Sequence, residues 1–266
     1  MRLIDSHCHL DLSIFSIDRK EVLQQAKNNQ VGDIIIPAVE SRRWGNLERL
    51  CESESPINLH AAYGLHPMFM SAHKPSDLIT LEQQLNQSKA VAVGECGLDF
   101  FIEGYDKKQQ LMYFTAQMDL AVQFQLPVII HSRKSLDLVL KEIRLRPVSR
   151  GVIHSFSGSI QQAKQLIDLG FYLGFGGPIS YLRATKLRRL VKELPLESLL
   201  LETDSPDQPD ASHHGQRNQP AWLVDIAKTV ADLRGMEVER VAEVTTRNCC
   251  DLFGIKNAPQ KPGHYS

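Results

Sequence analysis

The chain has 266 residues, 42% of them hydrophobic and 23% charged, with a net charge of −1. That length suits one α/β barrel of about 250 residues, and the near-neutral charge excludes the global basic field of a protein that coats long duplexes. Nothing approaches the roughly 18 consecutive apolar residues of a membrane span, and no charged and apolar leader opens the chain. The cysteines (Cys8, Cys51, Cys96, Cys249 and Cys250) are odd in number and lack CxxC spacing. These features predict a soluble cytoplasmic protein, a monomer without a disulfide framework.

The segment Arg2-Leu3-Ile4-Asp5-Ser6-His7-Cys8-His9-Leu10 reads as an opening strand, whose period-two alternation would put Asp5, His7 and His9 on one side. Two imidazoles on one side of a strand end can share a metal ion; a pair of exposed polar residues is the competing reading. Short apolar runs then alternate with amphipathic ones. A helix is predicted over 18–30, a near-continuously apolar buried strand over 32–37, a helix over 41–51, and a strand over 57–63 that runs into Gly64-Leu65-His66-Pro67. Next come a helix over 78–85, a strand over 90–95 ending at Glu95, a long helix over 107–124 and a strand over 127–131 ending at His131. A helix over 136–143 leads to a strand over 151–154 ending at His154, and a helix over 160–169 closes at Gly170. The last strands cover 171–175 and 199–204, the latter ending at Asp204, with a helix over 184–194 between them. Helices over 221–234 and 238–253 complete the pattern. Eight strands, each followed by a helix with no linker, predict one (β/α)8 TIM barrel over residues 1–255 and a polar tail over 256–266. An open doubly wound sheet is the alternative, but the Gly-rich nucleotide turn after its first strand is missing.

In a barrel, the C-terminal strand ends share the rim where catalytic residues lie. Here that rim collects His7, His9, His66, Glu95, His131, His154 and Asp204. Four imidazoles (His7, His9, His131, His154) and two carboxylates are too many donors for one tetrahedral ion. Two divalent ions sharing a carboxylate use them naturally; such a pair activates water and braces the attacking and leaving oxygens of a displacement. The expected assignment gives His7, His9 and Asp204 to one ion and His131 and His154 to the other, with Glu95 bridging. Imidazole-rich ligation suits zinc or manganese more than magnesium.

His7-Cys8-His9, Gly64-Leu65-His66-Pro67, Gly94-Glu95-Cys96-Gly97-Leu98-Asp99, His131-Ser132-Arg133, His154-Ser155-Phe156-Ser157-Gly158 and Glu202-Thr203-Asp204-Ser205-Pro206 together resemble the ordered motifs of the TatD family of metal-dependent, deoxyribonuclease-like hydrolases. The resemblance covers about residues 1–255. It implies an amidohydrolase-like barrel, a two-metal site and phosphodiester hydrolysis, with exonuclease action (3′–5′) on single-stranded DNA or RNA. It also implies metal-ligand roles for His7, His9, Glu95, His131, His154 and Asp204, a phosphate contact for His66, and a substrate role for Arg217-Asn218. Two departures stand out: Met68 replaces a frequent second histidine after His-Pro, and Asp207-Gln208-Pro209-Asp210 follows Pro206 where apolar and aromatic residues are common.

Asp204 is also the expected proton acceptor for attacking water. Glu202, one pleat deeper, is placed to orient a histidine ligand, and Arg133 offers phosphate a bidentate fork, with a structural salt bridge as its rival. Asp99 is read as positioning its loop or an arginine. His60, His73 and His264 are read as structural, His213-His214 as solvated or touching substrate, and Gly174-Phe175-Gly176-Gly177 as a tight turn. Arg183, Lys186, Arg188 and Arg189 are read as a solvated helix face. Rival functions are hydrolysis of a carboxylic ester or amide, aminoacyl-tRNA included, and metal binding without turnover.

Overall fold

The strands are built largely from residues that are apolar on both faces, as a sheet covered by helices outside and packed inside requires. In the computed structural model, which describes residues 1–256, the order is β1 (Leu3–Asp5), α1 (Arg19–Asn28), β2 (Val31–Pro37), α2 (Trp44–Glu52), β3 (Asn58–Tyr63), α3 (Ser76–Gln87), β4 (Ala92–Asp99) and α4 (Lys107–Phe124). There follow β5 (Val128–Arg133), α5 (Leu136–Leu145), β6 (Gly151–Ile153), α6 (Ile160–Asp168), β7 (Phe171–Phe175), α7 (Thr185–Glu193), β8 (Leu199–Leu201), α8 (Leu223–Arg234) and α9 (Val238–Phe253). Neighbouring strands pair in parallel in the order β1 to β8. The ring is nearly closed between β8 and β1, where the Ser6 amide donates to the Leu201 carbonyl at 3.0 Å and the Asp204 amide to the His7 carbonyl at 2.9 Å. The fold is a (β/α)8 barrel, as the alternation predicts. The predicted tail and His264 fall outside the described residues, apart from Lys256.

Ile4, Ile35, Ala62, Ala92, Ile129, Val152 and Leu200, one from each of seven strands, form the inner layer, covered by Cys249, Leu252 and Phe253 of α9. Their neighbours in sequence pack outward against the helices. Helix starts follow local chemistry. The Asp106 side chain accepts from the amides of Lys108 and Gln109 ahead of α4, and Ser159 and Gln162 make a reciprocal capping box ahead of α6.

Two strands depart from expectation where it matters. β1 ends at Asp5 rather than His9, because the chain bends at Ser6 and the Asp5 carboxylate turns to accept from the Thr203 amide (3.0 Å) and hydroxyl (2.6 Å). Continued alternation from inward Ile4 would have sent His7 outward. β4 runs past Glu95 to Asp99 with one extra residue: Val93 pairs with Val128, but Cys96 already pairs with Ile130. Both Val93 and Cys96 face the helices, so the bulge swings Glu95 inward. Gly94 and Gly97 make this possible at φ of 147° and 141°. A Cβ on Gly94 would come within 2.6 Å of the Ile129 carbonyl oxygen, and one on Gly97 would collide with that of His131.

At the opposite mouth, Asp33 is buried and accepts from Arg2, Asn58 and His60. Burial alone would raise its carboxyl, but the hydrogen bonds from His60, Arg2 and Asn58 outweigh it and hold Asp33 below the usual carboxylate range. Replacing Asp33 by Asn should destabilise the fold by about 1–3 kcal/mol at neutral pH. Because the folded pKa is the depressed one, this contribution is complete above the unfolded value of about 4 and is lost as pH falls through the folded value. Urea titrations of both proteins at falling pH should therefore show the difference between them shrink as pH passes through the folded value.

Candidate metal centre

The inward-facing side chains at the C-terminal mouth meet around one carboxylate. His131 and His154 reach it by plain alternation, two residues beyond the inner-layer Ile129 and Val152. Glu95 reaches it through the β4 bulge, and His7 and His9 through the bend after β1. Asp204 lies three residues beyond β8 at φ 57°, a left-handed conformation that ends the strand earlier than the predicted 199–204.

Glu95, 1% exposed, divides its neighbours between its two oxygens. Oε2 faces His7 Nε2 at 3.1 Å and His9 Nε2 at 3.5 Å. Oε1 faces His66 Nε2 at 3.0 Å, His131 Nδ1 at 3.2 Å and His154 Nε2 at 3.3 Å. Asp204 Oδ1 lies 3.7 Å from His7 Nε2 and 3.6 Å from His9 Nε2, while its Oδ2 accepts from Gln208 Nε2 at 2.5 Å. Burial works to raise the Glu95 carboxyl, but His66, His7 and His154 outweigh it and hold it well below its usual range. Burial also opposes charge on His154, yet Glu95, Asp204 and Glu202 push it up to about 10. His7 is driven well down by burial and by His154, stacked on it at 3.8 Å between ring centroids.

These side chains fit divalent cations. The Nε2 atoms of His7 and His9 lie 3.3 Å apart, a separation at which one cation can take both as ligands. His7 Nδ1, His154 Nδ1, Glu95 Oε2 and Glu202 Oε2 are buried without a hydrogen bond of good geometry among the described residues, although Glu95 Oε2 faces His7 Nε2 at 3.1 Å and His154 Nδ1 faces Glu202 Oε1 at 3.3 Å. Several rings are held from behind, as metal-ligating imidazoles are. His9 Nδ1 lies 3.2 Å from the Pro37 carbonyl, His131 Nε2 lies 3.0 Å from Asp99 Oδ2, and His154 Nδ1 lies 3.3 Å from Glu202 Oε1. His66 differs. Its Nδ1 accepts from the Met68 amide at 3.0 Å, so in the neutral ring the proton sits on Nε2, facing Glu95. Burial drives its pKa down to about 4. His66 is thus a donor toward the centre despite its proximity to Glu95 and His131.

The mouth forms a cavity of about 570 Å³ lined by His9, His66, Glu95, His131, His154 and Asp204, with Arg133 at its rim and Val39, Phe69, Phe175 and Ile179 among its walls. Arg217 and Asn218, expected at the substrate, do not line it. Arg217 donates to Asp18 and to the Ile14 carbonyl, with its guanidinium over Phe15. Asn218 is buried and donates to the carbonyls of Thr203 and Asp207. Both therefore brace the loops after β1 and β8, since their donors are consumed by backbone and Asp18. His213 stacks on Trp222 and bonds Asp210, His73 reaches the His66 carbonyl, and His60 bonds Asp33.

Three residues do more in the structure than their sequence context indicates. Asp99 positions its loop, as expected, by accepting from the Phe101 amide at 2.8 Å, and its other oxygen supports His131 rather than an arginine, a contact hidden until β4 is seen to extend beside β5. Gln208 grips Asp204 through a turn with no sequence signature. Gly174 is not a turn residue, as the sequence suggested, but lies in β7, where the Glu202 carboxylate occupies the place its Cβ would take.

The family described as TatD related DNase matches residues 4–254. The Escherichia coli (strain K12) protein described as uncharacterized metal-dependent hydrolase YjjV is 40% identical over 257 residues, spanning 96% of this chain and 98% of its own. A Haemophilus influenzae protein with the description uncharacterized metal-dependent hydrolase is 38% identical over 262 residues, covering 95% and 100%. The crystal structure of YjjV, a TatD homologue from E. coli K12, superposes with a TM-score of 0.92 at 39% identity, over 96% of this chain and 99% of that one.

Replacing Asp99 by Asn removes the carboxylate behind His131 and should weaken binding of a divalent ion roughly 10- to 100-fold. Competition with a chromogenic chelator would measure this, with an unchanged circular dichroism spectrum as the control for folding.

Proposed function

The chain belongs to the TatD family of metal-dependent hydrolases, and we propose that it cleaves phosphodiester bonds in single-stranded DNA or RNA, trimming from a 3′ end. The division of the histidines between the two oxygens of Glu95 carries this reading. It supports two divalent ions: one held by His7, His9 and Asp204, the other by His131 and His154, with Glu95 joining them. Bound there, such ions would polarise a phosphoryl oxygen and make water nucleophilic near neutral pH. Imidazole-rich ligation favours zinc or manganese.

The remaining work falls to the side chains. Asp204, fixed through Oδ2 by Gln208, turns Oδ1 inward to accept the proton of attacking water. His66 carries its proton toward the centre and donates it to a phosphate oxygen. Arg133, whose guanidinium rests 3.8 Å over the Phe101 ring beside the cavity, would present its fork to a second one. Asp99 and Glu202 keep His131 and His154 oriented. The apolar walls limit water around the reacting group.

Those walls also favour a second reading, hydrolysis of a carboxylic ester or amide such as an aminoacyl-tRNA, whose acyl group would pack against Phe69, Phe175 and Ile179. The free thiols of Cys8, Cys51, Cys96 and Cys249 support a reducing, cytoplasmic setting.

A panel of phosphodiester and carboxylic ester substrates, assayed with Mg, Mn, Zn and no metal, separates the readings. Turnover of the diesters only with metal is expected, and activity unchanged in metal-free protein would reject the mechanism. Glu95→Ala and Asp204→Ala should each lower kcat at least about a hundredfold, the scale of losing one group that stabilises the transition state, without altering the circular dichroism spectrum.

A further inference from the structure

The Asp204 carboxylate has two equivalent oxygens and a broad, nearly two-fold side-chain torsion, so its backbone alone does not fix which oxygen turns toward His7 and His9. Gln208 breaks that equivalence. A carboxylate can only accept, so the amide must present its nitrogen: Gln208 Nε2 donates to Asp204 Oδ2 at 2.5 Å, which leaves Oδ1 to the two rings. The amide is turned in its own right by Ser155, whose hydroxyl donates to Gln208 Oε1 at 3.1 Å and accepts from Nε2 at 3.0 Å. The same serine reaches the other half of the centre. Its backbone amide donates to Glu202 Oε1 at 2.6 Å, and that oxygen lies 3.3 Å from His154 Nδ1.

Asp204, Gln208, Ser155, Glu202 and His154 therefore form one unbroken run of contacts between the loops after β6 and β8. Three of the six non-glycine residues with positive φ among the described residues fall in it: Ser155 at 47°, Asp204 at 57° and Gln208 at 52°. Left-handed backbone is costly for a residue with a Cβ and persists where surrounding contacts over-determine it. Gln125, by contrast, adopts it to cap the end of α4, an ordinary use. Both polar ends of Gln208 are engaged in this run, so it holds ligands instead of joining them. An apolar or aromatic side chain at position 208, of the kind common in this stretch of the family motif, could make none of these bonds.

We infer that Gln208 and Ser155 are positioning residues for both ion positions at once, a single strut that sets Asp204 in the half with His7 and His9 and His154 in the half with His131. This rests on the two-ion reading above. The metal-free full chain, titrated with Co2+ against a chromogenic chelator, yields the two stepwise affinities, and a parallel titration without chelator records the visible absorption of the bound ions. Gln208→Met keeps the length of the side chain and loses its hydrogen bonds. Ser155→Gly keeps the left-handed backbone and the amide facing Glu202, and loses only the hydroxyl. Wild-type protein should take up two ions. Gln208→Met should lower both affinities roughly 10- to 100-fold, as loss of a partner behind a metal ligand does, and change the Co2+ absorption, with the circular dichroism spectrum unchanged. Ser155→Gly should lower both by a smaller factor, and the double variant should bind no more weakly than Gln208→Met, because the two residues act through one strut. Should Gln208→Met fail to fold, Ser155→Gly decides by the same criterion. Two ions bound with only one affinity lowered, or with neither, would overturn the inference and leave the two-ion reading standing; so would fully additive losses in the double variant. Uptake of a single ion by wild-type protein would overturn the two-ion reading, and this inference with it.

Discussion

A carboxylate removed from water must be met by positive charge or hydrogen-bond donors, or the fold pays for its desolvation. Glu95 poses that problem at the C-terminal mouth of the barrel, and much of the surrounding structure answers it. Five imidazoles from the loops and strand ends of β1, β3, β5 and β6 turn a ring nitrogen toward it. Three of them are held on the far side by the Pro37 carbonyl, Asp99 and Glu202. Each of these contacts fixes a ring orientation that the central carboxylate alone would leave free. The same concentration of lone pairs that is awkward for protons is suited to divalent cations.

Barrel closure and assembly of the centre are one event. The seam between β8 and β1 is sewn by Asp5, whose carboxylate accepts from both the Thr203 amide and hydroxyl and from the His7 amide. The Asp204 amide bonds the His7 carbonyl across it, and the His9 amide bonds the Ser205 carbonyl. His7, His9 and Asp204 are therefore positioned by residues nearly 200 positions apart in sequence. The opposite mouth is built differently. There Arg2, Asp33, Asn58 and His60 satisfy one another and bear on stability, the usual division of labour between the two ends of this architecture.

Kinship and geometry bear on different questions. The matched family and its relatives establish a metal-dependent hydrolase. The cleft bears on the substrate through a buried centre, a cationic rim at Arg133 and apolar walls. Of the two departures from the expected motifs, Met68 lines that cleft, and the Asp207-Gln208-Pro209-Asp210 stretch brings Asp207 and Gln208 to it. Gln208 binds Asp204 directly, so this departure is coupled to the centre as well as to the substrate path.

The sequence by itself determined the barrel, because alternating buried strands and amphipathic helices in eightfold succession have few other ways to cover both faces of a sheet. It also determined the orientation of His131 and His154, which follow from strict period two beyond Ile129 and Val152. It could not determine why His7, His9 and Glu95 join them. Regular alternation would turn His7 and Glu95 away, and the bend at Ser6 and the bulge at Gly94 and Glu95 exist because of Thr203 and β5, contacts made only when the ring closes. Arg217 and Asn218 illustrate the converse: polar residues beside a site in sequence were drawn into bracing Asp18, Ile14, Thr203 and Asp207. Where a side chain's direction is set by its own strand, sequence suffices. Where it is set by a neighbour brought from across the chain, only the tertiary structure decides.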